Sequence, residues 1–159
     1  MLKILVVDDD ELILKTVHRA LRTEYEVLTA ISAYEGLRIL EEDKEIRAVI
    51  SDYMMPDMDG LDFLRIVLDK YPDTLRIVLS GQASKEVILK AIHDCKIYKF
   101  IGKPWENEDL EITLSKGIDS NSYIWEKHLL IDKLTKNNVI LDTINSIMRE
   151  VKTTPISLA

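Results

Sequence analysis

The distribution of apolar residues constrains the fold of this chain most strongly. Short apolar runs of strand length alternate with segments of helical periodicity. The apolar runs are Leu2 to Val7, Glu26 to Thr29, Arg47 to Ser51, Leu75 to Leu79 and Tyr98 to Ile101. The helical segments are Asp10 to Arg22, Ala33 to Glu42, Gly60 to Lys70, Ser84 to Asp94 and Asn107 to Lys116. The pattern predicts five successive βα units.

The predicted strands, such as LKILVV and LRIVL, are apolar throughout and do not alternate between apolar and polar residues. Such strands are typical of a parallel sheet that helices cover on both faces. Because crossover connections are right-handed, the five units predict an α/β fold with a doubly wound five-stranded parallel sheet. The flavodoxin-like strand order 2-1-3-4-5 suits a domain of this size, although the pattern alone leaves other orders open.

The composition is typical of a globular protein, with 47% hydrophobic and 31% charged residues. A net charge of −7 argues against direct nucleic-acid binding, because domains that bind phosphate backbones usually have a basic face. Cys95 is the only cysteine, so the sequence offers neither an intramolecular disulfide nor a cysteine cluster for zinc. The sequence has no apolar run of membrane-spanning length and no signal-peptide pattern. We therefore expect a cytoplasmic protein that binds neither nucleic acid nor membrane.

Polar residues follow four of the five predicted strands at the point where each strand ends. They are Asp8, Asp9 and Asp10 after the first strand, Asp52 after the third, Ser80 after the fourth and Lys103 after the fifth. In an open α/β sheet, ligands bind outside the carboxyl ends of the strands where the strand order reverses. In the predicted order this crevice lies between strands one and three, so we expect Asp9 and Asp52 to face each other.

Clustered carboxylates repel one another unless a cation lies among them or one of them has a raised pKa. Mg²⁺ suits the cluster best, because it prefers oxygen ligands and commonly bridges carboxylates to a phosphate. A transition metal would want histidine or cysteine, and all three histidines fall on predicted helices away from this edge. Asp52 is the best candidate for a nucleophile that forms an acyl phosphate, with Lys103 supplying positive charge. The Ser80 hydroxyl can donate a hydrogen bond to a phosphoryl oxygen.

Four motifs in order, VVDDDE, SDYMMPDMDG, LSGQA and FIGKPW, resemble the CheY-like receiver domain of bacterial two-component response regulators. The resemblance implies that Asp52 is the phosphoacceptor, that Asp9 binds Mg²⁺ directly and that Asp8 acts through water. The backbone carbonyl of Met54 completes the implied protein ligands. The resemblance also implies that a histidine kinase or a phosphotransfer protein donates the phosphoryl group. Such a domain is a phosphoacceptor in signalling and not a turnover enzyme.

Further residues match functional positions of this family. Ser80 matches the switch hydroxyl, and Lys103 matches the family's lysine. The bond before the following proline, Pro104, is characteristically cis, which proline permits at low cost. Phe100 occupies the aromatic switch position, and Tyr98 is the competing candidate. Ser80 and Phe100 replace the more frequent threonine and tyrosine, which leaves the phosphoryl lifetime and the strength of the coupling open.

The segment from Asp119 onward has no glycine or proline before the tail and predicts one helix of about 30 residues. A seam with alternating spacing of four and three residues runs through Tyr123, Lys127, Leu130, Leu134, Asn137, Leu141, Ile144, Met148 and Val151. This spacing is the coiled-coil pattern, and a polar residue such as Asn137 within the seam can fix its register. We expect a parallel homodimer through residues 123–151. The alternative is that a broader apolar face packs the helix onto its own receiver.

We therefore predict a receiver domain at residues 1–120, a long helical extension at 121–152 and a tail or linker at 153–159. FIGKPW followed by a long helix resembles receivers joined to an output module, so we expect a fragment of a longer regulator. A Mg²⁺-dependent phosphohydrolase with an aspartyl-phosphate intermediate is the alternative function. Enzymes resembling the haloacid dehalogenase family carry a second aspartate where this chain has Met54. A flavin or nucleotide carrier would need a glycine-rich loop where this chain has VVDDDEL.

Overall fold

The computed structural model describes the backbone of residues 1–152 and the side chains of that range except at positions 139, 140 and 150–152. The chain divides into two compact units, Met1–Asn121 and Ser122–Ala159. The predicted tail at 153–159 lies outside the described residues. Within the described range, no helix combines the length and the apolar character that crossing a bilayer requires.

Strands and helices alternate along the described chain. The strands are β1 (Leu2–Val7), β2 (Tyr25–Ala30), β3 (Ile46–Ser51), β4 (Leu75–Ser80) and β5 (Lys99–Gly102). The helices are α1 (Glu11–Leu21), α2 (Ala33–Glu42), α3 (Gly60–Lys70), α4 (Lys85–Cys95) and α5 (Asn107–Lys152). All five predicted strands and the first four predicted helices are present, and their ends differ from the prediction by at most one residue.

The five strands form one parallel sheet in the order β2-β1-β3-β4-β5, which confirms the predicted topology. Every residue of β4 is buried. One hydrophobic core includes Val7 and Val78 of the sheet together with Phe63 of α3. Buried residues of α1 and α5, such as Val17 and Leu114, lie outside that core, as expected when helices cover both faces of a sheet.

Side-chain caps determine where the first four helices begin. Each capping oxygen accepts a hydrogen bond from a backbone N–H in the first turn, which would otherwise lack a partner. The capping residues are Asp10, Ser32, Asp59 and Ser84. The caps of α1, α2 and α4 lie soon after the preceding strand, and the cap of α3 lies at the end of a longer loop. The caps therefore hold these loops at the carboxyl edge of the sheet.

The predicted last receiver helix, Asn107 to Lys116, and the predicted helical extension form one continuous helix, because α5 covers Asn107–Lys152. Gly117 lies between these two predicted segments. A Cβ atom at this position would lie only 2.6 Å from Cδ2 of Leu75 and 3.0 Å from Cε1 of Tyr98. Glycine is therefore needed for close packing, and its cost inside a helix, about 1 kcal/mol, is too small to end the helix.

Candidate functional site

Three carboxylates meet at the carboxyl edge of the sheet. Asp8, Asp9 and Asp52 each offer an oxygen atom, and these atoms all lie within 4.8 Å of one another. The pairing of β1 with β3 aligns Val7 with Ser51, so the residues that follow these strands are neighbours. The backbone N–H of Asp52 also donates to the carbonyl of Val7 at 2.9 Å. The strand order thus brings together residues that are far apart in the sequence.

Asp52 is held in place, but one of its carboxylate oxygens accepts no hydrogen bond from the described chain. Its side chain is largely buried, and its Oδ1 accepts a hydrogen bond from the backbone N–H of Tyr53 at 2.8 Å. The Ser51 hydroxyl donates to the Asp52 carbonyl at 2.9 Å. Within residues 1–152, no hydrogen bond is donated to Oδ2 of Asp52. One oxygen is therefore anchored, and the other is available to a ligand.

Lys103 connects two of the three aspartates. Its Nζ donates to Oδ2 of Asp8 at 2.8 Å and lies 3.4 Å from Oδ1 of Asp52. Its backbone N–H donates to the carbonyl of Ser80 at 3.0 Å, which links the ends of β4 and β5. The bond between Lys103 and Pro104 is cis, as predicted.

Burial and charge compete at this ion pair. Burial acts to lower the pKa of Lys103, but the hydrogen bond to Asp8 and the negative charges of Asp8 and Asp52 outweigh it and raise the pKa. Burial is also the main reason that the pKa of Asp8 is raised, although Lys103 and the N–H of Asp10 act to lower it. Lys103 therefore keeps its positive charge at neutral pH beside the carboxylates.

The predicted switch residues lie in β4 and β5, and Met54 lies in the loop after β3. Ser80 is buried at the end of β4, opposite Gly102 of β5. The Met54 side chain is 64% exposed and borders a cleft of about 490 Å³ between the β3–α3 and β4–α4 loops. Phe100 is partly buried against the hydrophobic core, whereas Tyr98 is 42% exposed. The role of the Met54 carbonyl as a ligand stays a prediction.

Arg76, a buried arginine within β4, was not predicted from the sequence. Its guanidinium donates to four backbone carbonyls, those of Cys95, Pro72, Thr74 and Lys96, at 2.6 to 3.2 Å. Burial lowers its pKa. These bonds join the start of the strand that carries Ser80 to the end of α4. A lone arginine in the otherwise apolar run LRIVLS was the available signal.

A family model for the response regulator receiver domain matches residues 4–115. The chain belongs to this family. Receiver domains generally bind Mg²⁺ at an acidic pocket and take phosphoryl groups from histidine kinases, and this receiver has the corresponding cluster of aspartates.

Individual relatives agree with this assignment. The receiver is 30% identical to the hydrogenase transcriptional regulatory protein HoxA of Cupriavidus necator over 138 residues, which cover 87% of this chain and 28% of HoxA. A solved response regulator receiver domain from Clostridium thermocellum has a TM-score of 0.72 and 34% identity, and the match covers 78% of this chain and 99% of that one. A CheY-like receiver from Methanospirillum hungatei has a TM-score of 0.73 and 30% identity, with coverage of 76% and 96%.

These similarities confirm the predicted fold class and the predicted family. They do not support the alternative of a phosphohydrolase. The chain spans about a quarter of the length of the first curated relatives that it matches.

Proposed function

We propose that this receiver is a phosphorylation switch in which Asp52 accepts the phosphoryl group. The observation that carries the proposal is the asymmetry of the Asp52 carboxylate, whose Oδ1 is anchored by Tyr53 while its Oδ2 accepts no hydrogen bond from the described chain. In the reaction, a carboxylate oxygen of Asp52 forms a bond to phosphorus while the bond between phosphorus and the donor nitrogen breaks. The donor is a phosphohistidine of a histidine kinase or of a phosphotransfer protein.

The proposed metal is Mg²⁺, because the donor set consists of carboxylate oxygens. Both oxygens of Asp8 are engaged, one with the N–H of Asp10 and one with Lys103, which supports a role through water. Asp9 is exposed and is proposed to bind the ion directly, together with Asp52 and the Met54 carbonyl. When bound, the ion neutralises charge on the phosphoryl oxygens.

Three residues have successive roles in the proposed switch, namely Lys103, Ser80 and Phe100. Lys103 lies within reach of Asp52 and contributes positive charge that favours an incoming phosphoryl group. The Ser80 hydroxyl then donates a hydrogen bond to a phosphoryl oxygen, which draws the β4–α4 loop toward Asp52. Phe100 turns inward as that loop moves. Asp52 is modified and later restored, so we propose a signalling domain and not a turnover enzyme.

The helical extension is proposed to transmit the signal as a parallel coiled-coil homodimer through residues 123–151, following a receiver domain at residues 1–120. Four aliphatic members of the seam are each about half exposed, namely Leu130, Leu134, Leu141 and Ile144. Aliphatic side chains exposed at alternating spacings of three and four residues are buried when a second helix pairs with the first. The curated relatives are several times longer, and we propose that this receiver works within a longer regulator.

The proposed location is the cytoplasm, which suits a single buried thiol without a disulfide partner in the sequence. We propose no direct binding to membranes or nucleic acid, since the net charge of −7 disfavours both anionic surfaces.

The phosphoacceptor is tested by intact mass spectrometry after incubation with Mg²⁺ and an acyl phosphate donor. We expect a single phosphoryl adduct in the wild type and none in Asp52→Asn. Asp57→Asn is the matched control, because Asp57 is exposed in the same loop, and asparagine tolerates its φ of 70°. An adduct that survives in Asp52→Asn, or that disappears in the control, would contradict the assignment.

The dimer is tested by analytical ultracentrifugation of the phosphorylated and unphosphorylated protein. We expect Leu134→Asp to dissociate the dimer, because it places a charge in the apolar seam. Thr135→Asp introduces the same charge one residue away, outside the seam, and should leave the dimer intact. If both forms of the wild type are monomers at high concentration, the coiled coil is wrong.

A further inference from the structure

A second concave site lies along α1, on the part of the helix that leads away from the aspartates. It has a volume of about 300 Å³ and is lined by Leu14, Lys15, His18, Arg19, Arg22 and Thr29. The four basic residues follow the spacing i, i+3, i+4 and i+7, which places their side chains on one face of the helix. Thr29 belongs to the edge strand β2 and contributes a hydroxyl group. We call this site the α1 pocket.

The basic residues of the α1 pocket have no acidic partners. None of the four forms an ion pair or a side-chain hydrogen bond with any residue in the described part of the chain. Several basic residues elsewhere have polar partners. Lys3, Arg38, Arg65 and Lys103 form ion pairs, and Arg76 is held by carbonyls. The pocket therefore concentrates unneutralised positive charge in a chain whose net charge is −7.

This arrangement has a cost that an anion would remove. Like charges at positions three and four residues apart on a helix repel each other, and the partial negative charge at the C-terminal end of α1 offsets only part of this repulsion. An anion among Lys15, Arg19 and Arg22 would replace this repulsion with charge-assisted hydrogen bonds, and arginine matches the oxygen geometry of phosphate well. Thr29 can donate a further hydrogen bond.

The size of the pocket limits the kind of anion. From Lys15 to Arg22 the helix rises by roughly 10 Å, which matches one or two phosphoryl groups. A volume of about 300 Å³ lies at the lower end of the range for small-molecule sites. We propose that the α1 pocket binds a soluble small molecule that carries a phosphate ester or a diphosphate. This site is separate from Asp52 and does not depend on phosphorylation there.

The probe is sodium pyrophosphate, titrated into the full chain in buffer containing a chelator, so that Mg²⁺ does not recruit it to the aspartates. Calorimetry measures the affinity, and amide and imidazole NMR signals locate the site. We expect saturable binding at millimolar concentrations or below, with the largest shifts at His18 and its neighbours on α1. Asp52→Asn should bind equally well.

The decisive variant is Arg19→Gln combined with Arg22→Gln, which should weaken binding by about tenfold or more. Its matched control is Lys85→Gln combined with Lys90→Gln, which removes the same charge from exposed positions on α4. The control should bind like the wild type. All four substituted side chains are exposed, so both variants should remain folded, which circular dichroism can verify.

Several results would overturn the proposal. One is the lack of saturable binding, and another is an equal loss of affinity in both double variants, which would indicate attraction by net charge alone. A loss of binding in Asp52→Asn would assign the probe to the phosphoacceptor site. If polyglutamate or vesicles of anionic lipid shift the same signals at lower concentration than pyrophosphate, the pocket serves a macromolecular partner or a membrane instead.

Discussion

Substitution of Gly60 tests how closely the backbone packs around the proposed phosphoacceptor, Asp52. Gly60 is the first residue of α3, and its N–H donates to the carbonyl of Tyr53 at 2.7 Å. In Gly60→Ala the added Cβ would overlap the carbonyl oxygen of Asp52. It would also lie 2.8 Å from the carbonyl carbon of Asp52 and 2.9 Å from Cα of Tyr53. All three atoms belong to the backbone, so no side-chain rotation can relieve the clash.

The expected cost follows from these distances. Carbon atoms that are not bonded prefer separations of roughly 3.5 Å or more, so the backbone must move by more than half an ångström. Overpacking of this kind costs about 3 kcal/mol. Replacing glycine in a helix regains at most about 1 kcal/mol. We expect Gly60→Ala to lower the free energy of unfolding by about 2 kcal/mol, and the melting temperature by about 4 to 8 °C.

The assay combines urea unfolding with the rate of adduct formation at a temperature where the variant is folded. Because the clash is with Asp52 itself, we expect slower phosphorylation in addition to lower stability. Gly102→Ala is the matched control, since its Cβ would meet no atom within 4 Å. If the two variants have unfolding free energies within about 0.5 kcal/mol of each other, the backbone around Asp52 is more adaptable than this reasoning assumes.

Three further predictions concern single side chains. Arg76→Met should lower the free energy of unfolding by about 3 kcal/mol, because four backbone carbonyls lose their donor, two of them in buried hydrogen bonds. Arg38→Met, at an exposed ion pair, should change it by less than about 0.5 kcal/mol, and similar urea midpoints for the two variants would refute the role of Arg76. Lys103→Met should slow formation of the adduct at Asp52 by about 100-fold, as followed by intact mass, and an unchanged rate would argue against the proposed charge role. Ser80→Ala should be phosphorylated at nearly the wild-type rate but should lose the NMR shifts that phosphorylation causes in β5, and full retention of those shifts would remove Ser80 from the switch.

Local sequence patterns predicted most of the architecture. Strand and helix identity depend on the spacing of apolar residues, and β1, β3 and β4 are buried on both faces, as their apolar runs predict. The family resemblance carried by the motif around Lys103 likewise predicted the cis bond before Pro104. These features are properties of short segments, so they can be read without knowledge of the fold.

Other features depend on residues that are distant in the sequence. Gly117 lies inside α5, and its neighbours across the fold, Leu75 and Tyr98, explain it as a packing contact. Arg76 was missed because two of its carbonyl partners, Cys95 and Lys96, lie 19 and 20 residues away in the sequence. Neither set of contacts leaves a periodic signal in the sequence.

The same division applies to the two candidate sites. The sequence by itself determined the parallel sheet and the aspartates at its carboxyl edge, because apolar spacing and strand ends are local properties. Only the tertiary structure decided that Lys103 engages both Asp8 and Asp52, and that one oxygen of Asp52 remains available. Only the tertiary structure, too, left the basic residues of the α1 pocket without an ion pair to any residue that the structure describes. The physical reason is that electrostatic and hydrogen-bond partners are chosen by distance in space, which the strand order sets and which sequence separation does not reveal.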